Sequence, residues 1–342
     1  MRRPSCRRIL VWAVRHQTPV GQARCLLISM SSRRFNHQRM PMLDPDIAAF
    51  TGQPQEMPPL TPELIPMMRA NMAMMAAAMP GTDIDHVANL DADGVPVRFY
   101  RPASDTPLPL LVFLHGGGWM FGDLDTHDAM TRHLAAASSC AVLGVDYRLA
   151  PEHKFPAGLD DAMTALDWAR RSAGDLGCDP ARIALGGESA GGNLTAAATL
   201  RLRAENKPQP LFQLLIHPAT DLSFSLPSFA EVGAPGLSKN YLDACREFYL
   251  GSGSVADPFV SPLRAERLDG LAPAIVLTAS EDPLRDDGEY YAAALVRAGV
   301  ETLARRLPGL PHGFQFLPIT IPAVAAANDL IGGLVRRYFA NQ

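Results

Sequence analysis

The strongest constraint on how this chain can fold lies at residues 182–192. An apolar run, Ile183 to Leu185, ends in Gly186-Gly187 and passes through Glu188-Ser189-Ala190-Gly191-Gly192 into a helix-forming stretch, Asn193 to Glu205. The pattern is strand, Gly-x-Ser-x-Gly, helix. The five-residue motif alone is weak, because glycine and serine are common in loops. Flanked by a strand and a helix, it describes a sharp turn with the serine in strained backbone. Gly187 and Gly191 leave room where a Cβ would crowd that turn. The helix then begins beneath the serine and turns its positive end toward it.

Three further stretches give the turn a chemical setting. In the first, Leu110 to Leu114 runs into His115-Gly116-Gly117-Gly118-Trp119, a buried strand followed by glycines whose N–H groups can approach a substrate oxygen closely. In the second, Ala274 to Ala279 ends in acidic residues that include Asp282. In the third, Leu307-Pro-Gly-Leu-Pro-His312-Gly-Phe is a loop after a last strand. A serine hydroxyl is a poor nucleophile without an adjacent base. His312 is the candidate base, and Asp282 is the candidate for orienting its ring. His217 precedes every candidate acid and reads as a residue packed at a strand end. Asp221 is the rival acid, while Asp286 and Asp287 read as caps of a helix. The order Ser189, Asp282, His312 is that of α/β-hydrolases and not of chymotrypsin or subtilisin.

With these stretches in view, the chain resembles the bacterial hormone-sensitive-lipase-like esterases, relatives of arylacetamide deacetylase, over roughly residues 42–340. The motifs that carry the likeness are His-Gly-Gly-Gly-Trp at 115–119, Asp-Tyr-Arg-Leu-Ala-Pro-Glu-His at 146–153, Gly-Glu-Ser-Ala-Gly-Gly at 187–192, Asp-Pro-Leu-Arg-Asp at 282–286 and His-Gly-Phe at 312–314. One residue departs from the pattern. The family usually carries Asp or Thr where this chain has Glu188, which leaves subfamily and substrate preference open.

The resemblance implies an α/β-hydrolase fold, with a mostly parallel sheet of about eight strands, helices on both faces and a helical cap. It implies a serine carboxylesterase with no metal or organic cofactor, acting on small-molecule esters through an acyl-enzyme. The implied triad is Ser189, Asp282 and His312. The implied oxyanion donors are Gly117, Gly118 and Ala190, with Gly116 as a further candidate. Trp119, Glu188, Met72 and Met75 are the expected pocket residues. For Glu188 two readings stay open, organiser of the turn or solvated side chain. The 146–153 motif is expected to brace the glycine loop, with Arg148 and Glu152 paired. Amide or sugar-ester deacylation and lipase action are the rival activities. The plant gibberellin receptors, which resemble this family but lack a working triad histidine, represent the non-catalytic alternative; His312 argues against it.

Apolar runs and helix patterns alternate along the chain. Strands are expected near 109–114, 141–146, 182–186, 211–217, 274–279 and 301–307, after a hairpin over 84–100 that turns at Asp93-Gly94. Helices are expected near 126–138, 158–173, 192–205, 286–298 and 321–339. Such alternation indicates a sheet covered on both faces. Two cap pieces are expected, from about 42–80, broken at Pro54, Pro58-Pro59, Pro62 and Pro66, and from about 221–250. Methionines 67, 68, 72, 74, 75 and 79 give the first piece an adaptable apolar surface.

Charge is unevenly placed. Residues 1–40 hold nine of the 31 basic residues and no acid, so the remainder carries 22 basic against 35 acidic residues. That acidic remainder lacks the basic stripe of a nucleic-acid binder. The segment 1–40 is expected to be disordered and outside the catalytic domain of 41–342. Translated upstream sequence before a start at Met40 or Met42 is the preferred explanation, ahead of a mitochondrial-type transit peptide or a secretory signal. The five cysteines have irregular spacing that suggests neither a disulfide framework nor a zinc site. No stretch has the length of a membrane span. A cytoplasmic location is the resulting expectation, with no stable membrane insertion and a homodimer left open.

Overall fold

The structure, a computed structural model, describes residues 43–52, 59–232 and 237–341. The expectations for residues 1–40 and for breaks at Pro54 and Pro58 lie outside the described residues. Eight strands form one sheet in the order β1 (His86–Ala92), β2 (Val95–Arg101), β4 (Ala141–Val145), β3 (Leu108–Leu114), β5 (Cys178–Glu188), β6 (Gln213–Ile216), β7 (Ala274–Glu281) and β8 (Thr302–Pro311). β1 pairs with β2 and β2 with β4 in antiparallel fashion, and every other pairing is parallel. The β1–β2 turn is Asp93-Gly94, both at positive φ, with the Gly94 N–H donated to Asp91 Oδ1 at 2.7 Å. This is the twist-matched two-residue turn that Asp-Gly favours.

The inner parallel strands are apolar on both faces because both faces are covered, whereas β8 at the sheet edge exposes Arg305 and Arg306. In β3, Leu110, Val112 and Leu114 belong to one core cluster, and the alternate residues Leu111 and Phe113 belong to another. The first cluster is closed by α4 (Ala157–Ser172) and α5 (Ala190–Ala204), the second by α3 (Asp128–Ser138) and α9 (Pro322–Ala340). On the first face, α8 (Arg285–Arg297) packs Tyr291, Ala292 and Leu295 against Leu215 and Val276 of the sheet. Period-two alternation along each strand thus builds two cores from one sheet.

Four short or lone helices stand outside this alternation: α1 (Pro45–Thr51), α2 (Ile65–Ala77), α6 (Ser228–Glu231) and α7 (Lys239–Leu250). Of the residues in α2 only Ile65 is fully buried. Arg69 anchors this helix: its Nε donates to Met120 O at 2.8 Å, and its Nη atoms donate to Ala150 O at 3.0 Å and to both Glu152 oxygens at 2.9 Å. α7 packs differently, stacking Tyr249 on Trp119 with ring centroids 4.6 Å apart. Among the described residues, no helix is long and apolar enough to cross a membrane.

Two strands run longer than their apolar stretches. β5 begins at Cys178, before the expected 182, and β8 runs to Pro311, past the expected 307. A register shift between Ala279 and Glu281 lets β7 and β8 continue until Glu281 faces Pro311. The residues next in sequence after this pair, on neighbouring parallel strands, are Asp282 and His312.

Candidate active site

Strand register brings the site together. Leu114 of β3 faces Gly187 of β5, so the His115–Gly118 loop leaves the sheet beside Glu188 and Ser189. Glu188 faces Ile216 of β6, which places His217 next to the same turn. These strand ends, with those of β7 and β8, open at one edge of the sheet, the carboxyl edge where open α/β sheets hold their ligands.

Ser189 has φ 54 and ψ −116, a strained conformation for a residue with a side chain. The flanking contacts explain its glycines. A Cβ on Gly187 would come within 2.4 Å of Gly191 backbone, and one on Gly191 within 2.0 Å of Leu114 O. The turn is fixed by Ser189 N–H donating to Ile216 O at 2.9 Å and Asn193 N–H to Ser189 O at 3.0 Å. Asn193 Nδ2 adds bonds to Ala219 O and Val260 O at 2.8 and 2.9 Å.

The serine hydroxyl lies 2.8 Å from His312 Nε2, and His312 Nδ1 lies 2.8 Å from Asp282 Oδ2. Asp282 is wholly buried, and its Oδ1 accepts the Leu284 N–H at 2.7 Å. Burial pulls the His312 pKa down, but the charge and hydrogen bond of Asp282, with the charge of Glu188, outweigh it and hold the value above the ordinary 6.5. The rivals stand elsewhere. His217 is buried with its Nε2 2.8 Å from Gln315 Oε1, and burial, then the nearby His312, lowers its pKa. Asp221 is paired with Arg264 at 2.9 Å. Among the described residues, His217, Asp282 and His312 form the one group of donors close enough to share a metal ion; both His312 nitrogens face Ser189 and Asp282.

The glycine loop carries positive φ at Gly117 (104), Gly118 (60) and Trp119 (62). Gly117 O accepts the N–H groups of Met120 and Phe121 at 3.1 and 2.9 Å, closing a tight turn. Among the described residues, the N–H groups of Gly117, Gly118 and Ala190 are donated to no other protein atom. Gly116 differs from its expected role: its N–H is donated to Glu188 Oε1, which removes it from the candidate oxyanion donors. A Cβ on Gly117 would come within 2.2 Å of Phe121 O.

The 146–153 segment braces this loop. Tyr147 OH donates to His115 O at 2.7 Å, and Ala150 N–H to Trp119 O at 2.9 Å. The expected Arg148–Glu152 pair is replaced by two others. Arg148 reaches Asp161 at 2.7 Å, and Glu152 reaches Arg69 at 2.9 Å. Asp286 and Asp287 do more than open α8. Asp286 Oδ2 accepts the Ser228 N–H at 2.9 Å, and Asp287 Oδ1 accepts the N–H groups of Thr220 and Asp221, each at 2.9 Å. They fasten the segment before α7 to the turn that carries Asp282.

Two of the expected pocket residues, Met75 and Glu188, take other places. Met75 is 72% exposed on the outer side of α2, since the helix buries the face carrying Ile65 and partly buries Met68 and Met72. Glu188 is 1% exposed, which excludes the solvated reading; its carboxylate lies under the glycine loop rather than in a pocket. Trp119, at the end of the glycine loop, is buried and stacks on Tyr249 of α7. Met72 is partly buried against the cluster that contains Trp119. Arg69, Tyr147, Gln315 and Tyr249 were not singled out from the sequence. Gln315, which directly follows the His-Gly-Phe motif, offered a signal; Arg69 offered none.

A strained serine between a β-strand and a helix, hydrogen-bonded through histidine to a buried aspartate at the carboxyl edge of a parallel sheet, defines the class of α/β-hydrolases. Residues 111–316 match the family described as alpha/beta hydrolase fold. The chain belongs to this family, among the hormone-sensitive-lipase-like carboxylesterases. It is 44% identical over 280 residues to the carboxylic ester hydrolase LipN of Mycobacterium tuberculosis, covering 78% of this chain and 74% of that one. It is 38% identical over 281 residues to an arylesterase of Saccharolobus solfataricus, covering 78% and 88%. Among solved structures, an esterase from Pyrobaculum calidifontis superposes with a TM-score of 0.80 at 34% identity, over 86% of this chain and 98% of that one.

Proposed function

We propose that this chain is a serine carboxylesterase in which Ser189 is the nucleophile, His312 the general base and acid, and Asp282 the residue that orients His312. The observation that carries the assignment is the unbroken hydrogen-bond line from Ser189 Oγ through His312 to Asp282, each step 2.8 Å. Relatives named carboxylic ester hydrolase, carboxylesterase and arylesterase support the ester as substrate.

Ser189 Oγ attacks the ester carbonyl carbon as His312 Nε2 takes its proton. The carbonyl oxygen becomes an oxyanion, received by the N–H groups of Gly117, Gly118 and Ala190. Collapse of the tetrahedral intermediate breaks the bond to the alcohol oxygen, which leaves with the proton held by His312. Water then repeats the sequence on the acyl-enzyme, releasing the carboxylic acid and restoring Ser189. The base works only when neutral, and His312 is held above 6.5. The acid limb of kcat/KM therefore lies above pH 6.5, and activity falls as pH drops through it. A pH–rate profile on a small soluble ester, flat from pH 5 to 9, contradicts the role given to His312.

The preferred substrates are esters of short to medium acyl chains, roughly two to eight carbons. α2 and α7 lie over the glycine loop through Arg69 and Tyr249, as a cap does, and a covered pocket is finite. Each methylene that fits contributes up to about 0.8 kcal/mol, and those beyond the wall contribute nothing or clash. Rates on p-nitrophenyl esters of increasing length test this: kcat/KM rises and then drops sharply. Best activity on long-chain triglyceride emulsions contradicts it.

A further inference from the structure

Glu188 is a buried carboxylate beside the nucleophile, and the triad mechanism gives it no role. An ion in such a place is costly unless donors surround it. Its Oε1 accepts the Gly116 N–H and lies 3.4 Å from His127 Nε2. Its Oε2 lies 3.8 Å from His217 Nε2. That His217 nitrogen also faces Gln315 Oε1 at 2.8 Å. The His217 ring in turn lies 4.3 Å, centroid to centroid, from the ring of His312. The His217 ring thus stands between Glu188 and His312, and the donor atoms of His217, His312 and Asp282 all lie within 4.8 Å of one another. On the other side, His115 stacks on Tyr147 at 4.2 Å and tilts against His127 at 4.8 Å.

We infer that Glu188 is a positioning residue with two separable effects: its Oε1 pins the Gly116 amide so that the next two amides face the substrate oxyanion, and its negative charge favours the cationic form of His312. The first effect rests on contact. An ideal Cβ on Gly116 would lie within 2.1 Å of Glu188 Oε1, so the carboxylate is packed directly against this turn of the loop. The second rests on the His217 ring between Glu188 and His312. The Glu188 pKa supports it: burial raises the value, but the close approach of His127 Nε2 at 3.4 Å and the charges of His217, His127 and His312 carry it down to about 2. Because this lies below the ordinary 4.5, Glu188 stabilises the fold fully above that pH and loses the contribution as pH falls toward 2. The carboxylate is ionised wherever His312 titrates.

The inference rests on the Ser189–His312–Asp282 assignment, and the experiment separates the two. Wild type, Glu188→Gln and Glu188→Ala are compared on p-nitrophenyl acetate, with pre-steady-state bursts to count acylating sites and thermal melts to establish folding. Glutamine keeps an acceptor for Gly116 and removes the charge. Its acid limb in kcat/KM is expected to move to lower pH, because the imidazolium loses a favourable neighbour, while plateau kcat stays within about tenfold of wild type. Alanine removes both effects. It is expected to move the limb the same way and to lower plateau kcat by roughly 10²-fold, the scale of a lost oxyanion contribution, with KM little changed. A purely structural role leaves the limb in place. A folded Glu188→Gln whose limb coincides with wild type overturns the electrostatic half, and a folded Glu188→Ala with wild-type plateau kcat overturns the positioning half. If alanine does not fold, Glu188→Asp replaces it: a charge one methylene further from Gly116 keeps the limb and lowers kcat, and unchanged kcat overturns the positioning half. A wild-type enzyme with no acyl burst and no Ser189 adduct overturns the triad assignment instead.

Discussion

Replacing Ser189 by alanine is expected to abolish ester hydrolysis and leave the protein folded. The loss is large because the hydroxyl is the attacking atom and the other groups act only through it. In a serine hydrolase such a removal costs about 10⁴–10⁶ in kcat. What remains is the weak assistance that the oxyanion donors and bound water give. Stability changes little by comparison. The Ser189 side chain makes its hydrogen bond to His312 alone among the described residues, a bond worth about 1 kcal/mol net. Alanine meets the same backbone strain at φ 54 as serine does. Turnover on p-nitrophenyl acetate and a thermal melt check both halves. A folded variant at near-wild-type rate refutes the assignment of the nucleophile.

The second large effect is expected at Asp282. Asparagine has nearly the same shape, so packing in the buried site is kept. Its amide can turn an N–H toward His312 Nδ1 where the carboxylate accepted one. His312 then carries its proton on Nε2, the nitrogen that faces Ser189 at 2.8 Å, and can no longer take the serine proton. The loss in kcat is expected to be about 10⁴-fold. Asp221→Asn is the matched control. Asp221 faces Arg264 at 2.9 and 3.2 Å and not His312, so activity is expected to stay within about tenfold while melting temperature falls by a few degrees. The opposite ranking of the two variants in steady-state kcat transfers the acid role to Asp221.

Much of this arrangement was legible in the residues, for a physical reason. Strands buried on both faces leave continuous apolar runs, and these ended at visible breaks: glycines after β3, Gly-Glu-Ser where β5 ends, Asp-Pro after β7; the edge strand β8 ended in Pro-His-Gly. Chemistry at the carboxyl edge of such a sheet must come from those breaks, so Ser189, Asp282 and His312 stood out. Register and direction did not. That Glu281 faces Pro311 depends on an irregularity between Ala279 and Glu281, which leaves no mark in composition. The partners of charged side chains were equally hidden. Arg69 joins Glu152 across 83 residues, and Arg148 turns to Asp161 instead, because tertiary packing decides among several reachable acids. The Met-rich helix showed the same limit. Its residues Met67 to Met79 have no clear helical stripe, so Met72 facing inward and Met75 facing solvent were indistinguishable until the helix was docked.

Covalent labelling of the nucleophile tests the central claim most directly. A p-nitrophenyl phosphonate ester reacts with an activated serine, expels p-nitrophenolate and leaves a stable tetrahedral adduct that imitates the oxyanion intermediate. Peptide mass spectrometry after digestion locates it. One adduct per chain is expected, on the peptide carrying Gly187-Glu188-Ser189-Ala190-Gly191, formed in step with loss of esterase activity and absent from Ser189→Ala. Inactivation with the label on any other residue, or full activity surviving stoichiometric labelling of Ser189, would contradict it.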